Sequence, residues 1–402
     1  MDSSSSRIRR RHARATSWAE ITKRAAVQWA WEFRMAETPR PTTHEVPMSR
    51  YTSAGQLVEG SHGDGLARAS ETTTPPTLGA CSAVSGSATP RAPVEDGVYA
   101  REVGKTTLLV RGSRRTISTT LVMGVVNASP ESFSDAGRYD SLPSRLELAA
   151  AMVEAGADIL DIGGQSAITN QPEIDAAVEA DRVLPIVEWL RSNYSEVLLS
   201  VDTYKPAVVE AVLSAGADMI NDVSGLRDPS LARICADHGA ALVVMHTAAA
   251  PKVRLQDPGL YTNITAEVVD FLARTCDRAA AEGIPRESLI VDPGPDFTKT
   301  PHQTIALLRS MDSVRELGYP VLLALSRKDF LGAITGRSPR ARAAATAAAL
   351  AHFAATPGSI VRVHDVAAAV DVIATVETLV GMREVAVDYL LPEEIRHEPR
   401  TQ

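Results

Sequence analysis

Short apolar runs that stop at a polar residue alternate with longer amphipathic stretches along most of this chain. The first run, Leu121 to Val126, is too short for a buried helix and suits a strand covered on both faces. It stops at Asn127 and opens into a loop rich in Ser, Pro, Asp and Gly, from Ala128 to Gly137. The same event recurs at Asp158–Ile162, Val197–Val201, Met219–Ile220, Ala241–Met245, Leu289–Val291, Val321–Leu325 and Ile360–Val363. Between these runs the apolar period lengthens to that of a helix. The helices it predicts are Arg145–Glu154, Glu173–Ser192, Lys205–Ser214, Ser230–Asp237, Ile264–Ala281, His302–Leu317, Pro339–Ala354 and Val366–Met382. Gly156, Gly216, Gly239, Gly283 and Gly318 stand where several of them should end. Ala155-Gly-Ala-Asp158 returns as Ala215-Gly-Ala-Asp218 at the same helix-to-strand joint, a faint internal repeat.

Eight β/α units in a row predict an α/β fold of the TIM type, a (β/α)8 barrel of parallel strands. A doubly wound dinucleotide-binding sheet is the competitor, but no GxGxxG follows the first strand. Thr107–Val110 and Thr116–Thr119, either side of Arg111-Gly-Ser-Arg-Arg115, predict an N-terminal β-hairpin covering the bottom of the barrel. In such a barrel the strand C-termini meet at one mouth. Here they carry Asn127, Asp161, Asp202, Asn221, His246, Asp292, Lys328, Arg362 and His364. Core packing alone does not explain a polar group at every strand end.

Composition sets the limits. Apolar residues make up 45% of the 402, enough for a large core, and the net charge of −8 argues against nucleic acid as a partner of the folded part. Cys81, Cys235 and Cys276 follow no metal spacing and suggest a reducing, cytoplasmic compartment. No apolar stretch is long enough to span a bilayer, so no membrane partner is expected. Residues 1–105 differ from the rest: an Arg cluster (Arg7, Arg9, Arg10, Arg11, Arg14) and a Ser run precede a stretch rich in Thr, Pro, Gly and Ala. That composition cannot bury enough apolar surface to offset chain entropy and predicts a disordered extension. A transit peptide and an over-extended gene start are alternatives for it. The barrel is expected over 106–383, with a tail over 384–402.

Arg362 and His364 lie two apart on one strand and so share a face, a cationic pair suited to a phosphate group. Lys328 at the end of the seventh strand is either a Schiff-base nucleophile or a donor to a heterocycle. Asp202, Asn221 and Asp292 add acceptors and an amide, a set that suits a flat ring such as a pterin.

At these residues the chain resembles the dihydropteroate synthase family. The likeness runs from about Thr106 to Arg383. It is carried by Met123-Gly-Val-Val-Asn127, Ser129-Pro-Glu-Ser-Phe-Ser-Asp135, Asp161-Ile-Gly-Gly164, Ser200-Val-Asp-Thr203, Ile220-Asn-Asp222, Met245-His246, Asp292-Pro-Gly294, Ser326-Arg-Lys328 and Arg362-Val-His-Asp-Val366. The resemblance implies a transferase that condenses 6-hydroxymethyl-7,8-dihydropterin diphosphate with p-aminobenzoate and releases diphosphate. It implies that Asp202, Asn221, Asp292 and Lys328 hold the pterin, with Lys328 and Asp292 closest to the chemistry. It further implies that Arg362 and His364 take the diphosphate, that Asn127 binds Mg²⁺, and that the protein is a homodimer.

Several loops depart from the family pattern. Gln165-Ser-Ala-Ile-Thr-Asn170 stands where the family reads Glu-Ser-Thr-Arg-Pro-Gly, so Ala167 and Ile168 replace a hydroxyl and an anion-binding arginine. One such charge-assisted contact is worth about 1.5–3 kcal/mol. Pro295-Asp-Phe-Thr-Lys299 lacks two glycines the family has, and Asp329 replaces a serine beside the expected p-aminobenzoate, where a carboxylate would repel it. These departures leave an alternative open: a paralogue that binds pterin or diphosphate without synthase turnover.

Overall fold

A computed structural model describes residues 106–129, 141–166, 169, 172–392 and 395–397. The extension expected over 1–105 lies outside the described residues, as do Ala167, Ile168 and most of the first loop.

Eight parallel strands close into a barrel. In chain order they are β3 (Leu121–Asn127), β4 (Ile159–Gly163), β5 (Leu198–Asp202), β6 (Met219–Asp222), β7 (Ala241–Met245), β8 (Leu289–Asp292), β9 (Val321–Leu323) and β10 (Ser359–Val363). Each pairs with the next, and β10 closes the ring onto β3, with Arg362 opposite Met123. Helices follow the strands on the outside, as the 3.6-residue period requires. Ser230–Asp237 and Ile264–Ala281 run over the predicted residues, and the other expected helices are found within a few residues of prediction, with one exception.

Strand parity sorts the side chains into two cores. Outward residues such as Val122, Leu160, Leu199, Ile220 and Val361 pack against the helices. Inward residues Met123, Ile159, Leu198, Met219, Ala241, Val243, Ile290, Leu322 and Ile360 fill the lower lumen. The hairpin β1 (Thr106–Val110) and β2 (Ser113–Ile117) adds Leu108, Val110 and Ile117 to that same cluster and so plugs the barrel floor, as predicted. Its second strand starts three residues earlier than expected. Arg111 (φ +49°) and Gly112 (φ +72°) make a tight two-residue turn, and the arginines that suggested a loop lie on the exposed strand instead.

The internal repeat has a physical meaning. Gly156 (φ +102°) and Gly216 (φ +108°) end their helices in a backbone that favours glycine. Each following aspartate then clamps the preceding strand: Asp158 Oδ2 accepts the Val122 amide at 2.9 Å, and Asp218 Oδ2 accepts the Leu199 amide at 2.9 Å.

One split helix and one additional helix lie late in the chain. The helix expected over His302–Leu317 is two helices, Pro301–Arg309 and Met311–Arg315, broken at Ser310. Leu307, Met311 and Val314 are all buried, so the apolar period runs through the break and conceals it. A short helix, Asp329–Thr335, was not expected at all, because the sequence there read as the loop ending β9.

Candidate active site

The parity that fills the floor with apolar groups continues upward. Asn127, Asp161, Asp202, Asn221, Asp292 and Arg362 lie on inward positions of β3, β4, β5, β6, β8 and β10. Asp202 is opposite Asn221 in the ladder, and Gly163 is opposite both Asn127 and Asp202. Above them opens a cavity of about 550 Å³, lined by Asp202, Ser326, Lys328 and His364 together with loop residues.

His246 is a correction. It sits one residue past Met245, on the outward parity, and does not join the mouth. Its ring packs edge-on against Phe271 at 4.8 Å, and its Nδ1 lies 2.8 Å from Lys299 Nζ. Burial, then the Lys299 charge, holds His246 down at about 3, so it is neutral.

Arg362 is held by carboxylates across the barrel. Its Nε donates to Asp161 Oδ2 at 2.6 Å and its Nη2 to Asp202 Oδ2 at 3.1 Å. Burial opposes its charge, but these two partners outweigh it. Asp161 is fully buried and also accepts from Ser200 Oγ (2.7 Å) and Asn221 Nδ2 (3.1 Å). The sequence placed Asp161 at a strand end but gave it no role, since its partner is 201 residues away. Asp365 is not among the partners of Arg362. Asp365 instead caps the following helix through the Ala368 amide.

The expected cationic pair is therefore one cation and one neutral ring. Burial, with Arg327, Arg362 and Lys328 nearby, holds His364 down at about 3, and its Nδ1 lies 3.0 Å from Ser326 Oγ. Burial, with Asp161, Glu179 and Asp222 adding to it, pushes Asp202 up to about 7 although Arg362 pulls the other way. Burial also raises Asp292, whose Oδ1 accepts the Gly294 amide at 2.7 Å. Lys328 is lowered by burial. Its Nζ donates to the Pro295 carbonyl at 3.1 Å and lies 4.3 Å from the Phe297 ring centroid. Asn221 Oδ1 is buried with no partner, and its orientation is set because Nδ2 is spent on Asp161.

The loops bring residues that the strand pattern does not show. Lys252, Arg254, Arg327 and Arg340 join Lys328 around the cavity, a basic mouth suited to anions. Lys299, fully buried, donates to the carbonyls of Gly294 (2.9 Å) and Phe297 (3.0 Å), and burial lowers it to about 7. Gln165, in place of the family's glutamate, accepts from the Ile174 amide at 2.8 Å and donates to Tyr204 at 2.8 Å. Asp329 lines the cavity, but its Oδ1 is 3.1 Å from Arg342 Nη1, which matches much of the charge expected to repel p-aminobenzoate.

Among the described residues, no group of three or more His, Cys, Asp or Glu side chains could hold a metal. Nor is any described helix long and apolar enough to cross a membrane.

The family model "Pterin binding enzyme" matches residues 123–364. A dihydropteroate synthase from Streptococcus pyogenes is 38% identical over 261 residues, covering 64% of this chain and 95% of that protein. The chain belongs to the dihydropteroate synthase family. A member from Synechocystis is 38% identical over 251 residues, covering 62% of this chain and 86% of its own. Among solved structures, Xanthomonas albilineans dihydropteroate synthase with 4-aminobenzoic acid superposes with a TM-score of 0.63 at 38% identity, covering 70% of this chain and all of that one (100%). The Burkholderia cenocepacia enzyme complexed with 7,8-dihydropteroate gives 0.62 at 37%, covering 69% and 98%.

Proposed function

We propose that this chain is a dihydropteroate synthase, a transferase of folate biosynthesis. It joins p-aminobenzoate to 6-hydroxymethyl-7,8-dihydropterin diphosphate to give 7,8-dihydropteroate and diphosphate. The observation that carries the reading is the buried, unpartnered Asn221 Oδ1, opposite Asp202 in the strand ladder. A buried acceptor without a donor is costly, on the order of 1–3 kcal/mol, and a pterin N–H removes that cost. Asp202 and Asp292 supply further acceptors, and Lys328 a donor, to the same ring.

Chemistry follows from the charges. The amine of p-aminobenzoate attacks the exocyclic methylene of the pterin, a C–N bond forms, and the C–O bond breaks. The electron pair leaves with the diphosphate, and the nitrogen then loses a proton. The attacking amine is already neutral, so no strong base is required. Arg362 and the basic mouth meet the negative charge that grows on the leaving group. His364, neutral, serves it as a hydrogen-bond donor. Asn127, at the inward end of β3, is the residue that would hold a Mg²⁺, and the ion would supply charge neutralisation to the diphosphate. We place the reaction in the cytoplasm, in a homodimer, as the cysteine pattern and the Ala-rich late helices suggest.

The test is turnover. With Mg²⁺, the purified protein is expected to release diphosphate only when both substrates are present. Pterin binding by calorimetry without any release would favour the non-catalytic paralogue. Borohydride trapping of a substrate adduct on Lys328 would instead favour Schiff-base chemistry.

A further inference from the structure

The loop from Pro293 to Lys299 has an unusual backbone. Gly294, Asp296 and Thr298 all have left-handed φ values, +64°, +61° and +51°. Gly294 has no alternative: a Cβ there would lie 2.2 Å from the His246 carbonyl oxygen. Asp tolerates this region moderately, and a β-branched Thr poorly. Such strain persists only where the surroundings fix it. Thr298 Oγ1 accepts the Ala248 amide at 2.9 Å, and the buried Lys299 ties down two carbonyls of the loop.

Asp296 reaches further. Its Oδ1 accepts from Thr304 Oγ1 at 3.0 Å, and its Oδ2 accepts the Phe330 amide at 3.2 Å. Phe330 lies in the first turn of the helix Asp329–Thr335, and the N-cap of that helix is Lys328. An ammonium group accepts no hydrogen bond, so Lys328 cannot cap its own helix, and no side-chain cap is present there. A carboxylate from another loop fills that role. The neighbours of Asp296 hold the lysine tip itself, Pro295 through its carbonyl and Phe297 through its ring.

We propose that Asp296 is a positioning residue for the synthase reaction: by capping the helix that Lys328 opens, it fixes where the Lys328 ammonium stands over the pterin site. The inference rests on the reading that Lys328 engages the pterin. Charge adds to geometry. Burial works to strip the proton from Lys328, and Asp296 is foremost among the groups that oppose this, followed by Asp292 and, more weakly, Asp329. Arg362 works with burial, and Lys299 and His364 stand nearby, the latter neutral. Removing the Asp296 charge therefore lowers the pH at which Lys328 loses its proton.

The test uses the full chain, with two variants and two readouts. Asp296→Gly removes the cap and relieves the left-handed strain. We expect Phe330 amide exchange to accelerate about tenfold and kcat/KM for the pterin diphosphate to fall about tenfold, while Tm stays level or rises. Asp296→Asn keeps an acceptor and tolerates the backbone. There Phe330 exchange is expected to stay slow, while the alkaline limb of the kcat profile moves to lower pH. Wild-type exchange and wild-type kcat/KM in Asp296→Gly would overturn the proposal, as would an unmoved pH profile in Asp296→Asn. If the wild-type protein turns nothing over, the synthase reading fails separately. Phe330 exchange and pterin affinity then decide the positioning role by themselves.

Discussion

The lower and upper halves of the barrel lumen are built from the same strands, on the same parity, two residues apart. Ile159 lies below Asp161, Leu198 below Ser200 and Asp202, Met219 below Asn221, Ile290 below Asp292, and Ile360 below Arg362. Below, the hairpin seals the floor, and apolar side chains need only fill space. Above, the lumen opens to the cavity, and each polar group needs a partner. Asp161 shows how that need is met: one buried carboxylate accepts from Ser200, Asn221 and Arg362 at once. The contrast teaches that this barrel keeps apolar packing and polar chemistry on separate floors of one tube. The floors touch only through strand register.

The largest effect should come from breaking the upper floor at its hub. Asp161→Ala leaves the half-buried Arg362 with one partner instead of two. We expect a loss of about 3–5 kcal/mol in urea unfolding, together with loss of pterin binding. If stability falls while binding holds, the hub serves the fold alone and has no part in the site.

The next effect is electrostatic. Asp202 is raised to about 7, so in the empty site it is half protonated near neutrality. A pterin that donates N–H groups needs the carboxylate. Affinity is therefore expected to rise with pH up to about 7 and then level off. The gain from one unit below to well above is about tenfold, or roughly 1.4 kcal/mol. Calorimetry across that range checks it, and Asp202→Asn should flatten the curve. A flat wild-type curve would mean that the ring does not donate to this carboxylate.

Much of this was legible in the sequence, for a physical reason. Period-2 alternation assigns each strand residue to a face, and strand ends mark the mouth, so Asp202, Asn221, Asp292, Arg362 and His364 could be gathered without coordinates. His246 was misplaced because a strand end was treated as a point rather than a parity, and one residue of shift turns a side chain outward. The pairing of Asp161 with Arg362 was illegible because it exists only once the ring closes. The cap that Asp296 gives to Phe330 was also hidden, since it joins a loop to the first turn of a helix 34 residues further on. Loop conformation depends on contacts that no local pattern records. Asp296 and Thr298, read as lost glycines, keep the left-handed backbone a glycine would adopt.

A milder change to the lower floor sharpens the separation. Ile159→Val removes one methylene from a fully buried site facing the hairpin plug. The expected cost is about 0.5–1.5 kcal/mol of stability with pterin affinity unchanged. A matching loss of affinity would show that packing below sets the register of the polar groups above.

The smallest effect is expected at the rim. From its position after Lys328, Asp329 is expected to repel p-aminobenzoate by like charge. Its side chain is 64% exposed and pairs with Arg342. Arg342 in turn donates to the carbonyls of Arg327 (2.8 Å), Lys328 (2.9 Å) and Arg337 (2.9 Å). Asp329→Ser therefore leaves the buried guanidinium with three acceptors, and an exposed pair contributes little. We expect stability to change by less than about 0.5 kcal/mol and KM for p-aminobenzoate by less than about twofold. A tenfold fall in KM would mean that the Asp329 charge reaches the second substrate despite Arg342. The rim would then belong with the upper floor, as part of the electrostatic machinery rather than its solvent boundary.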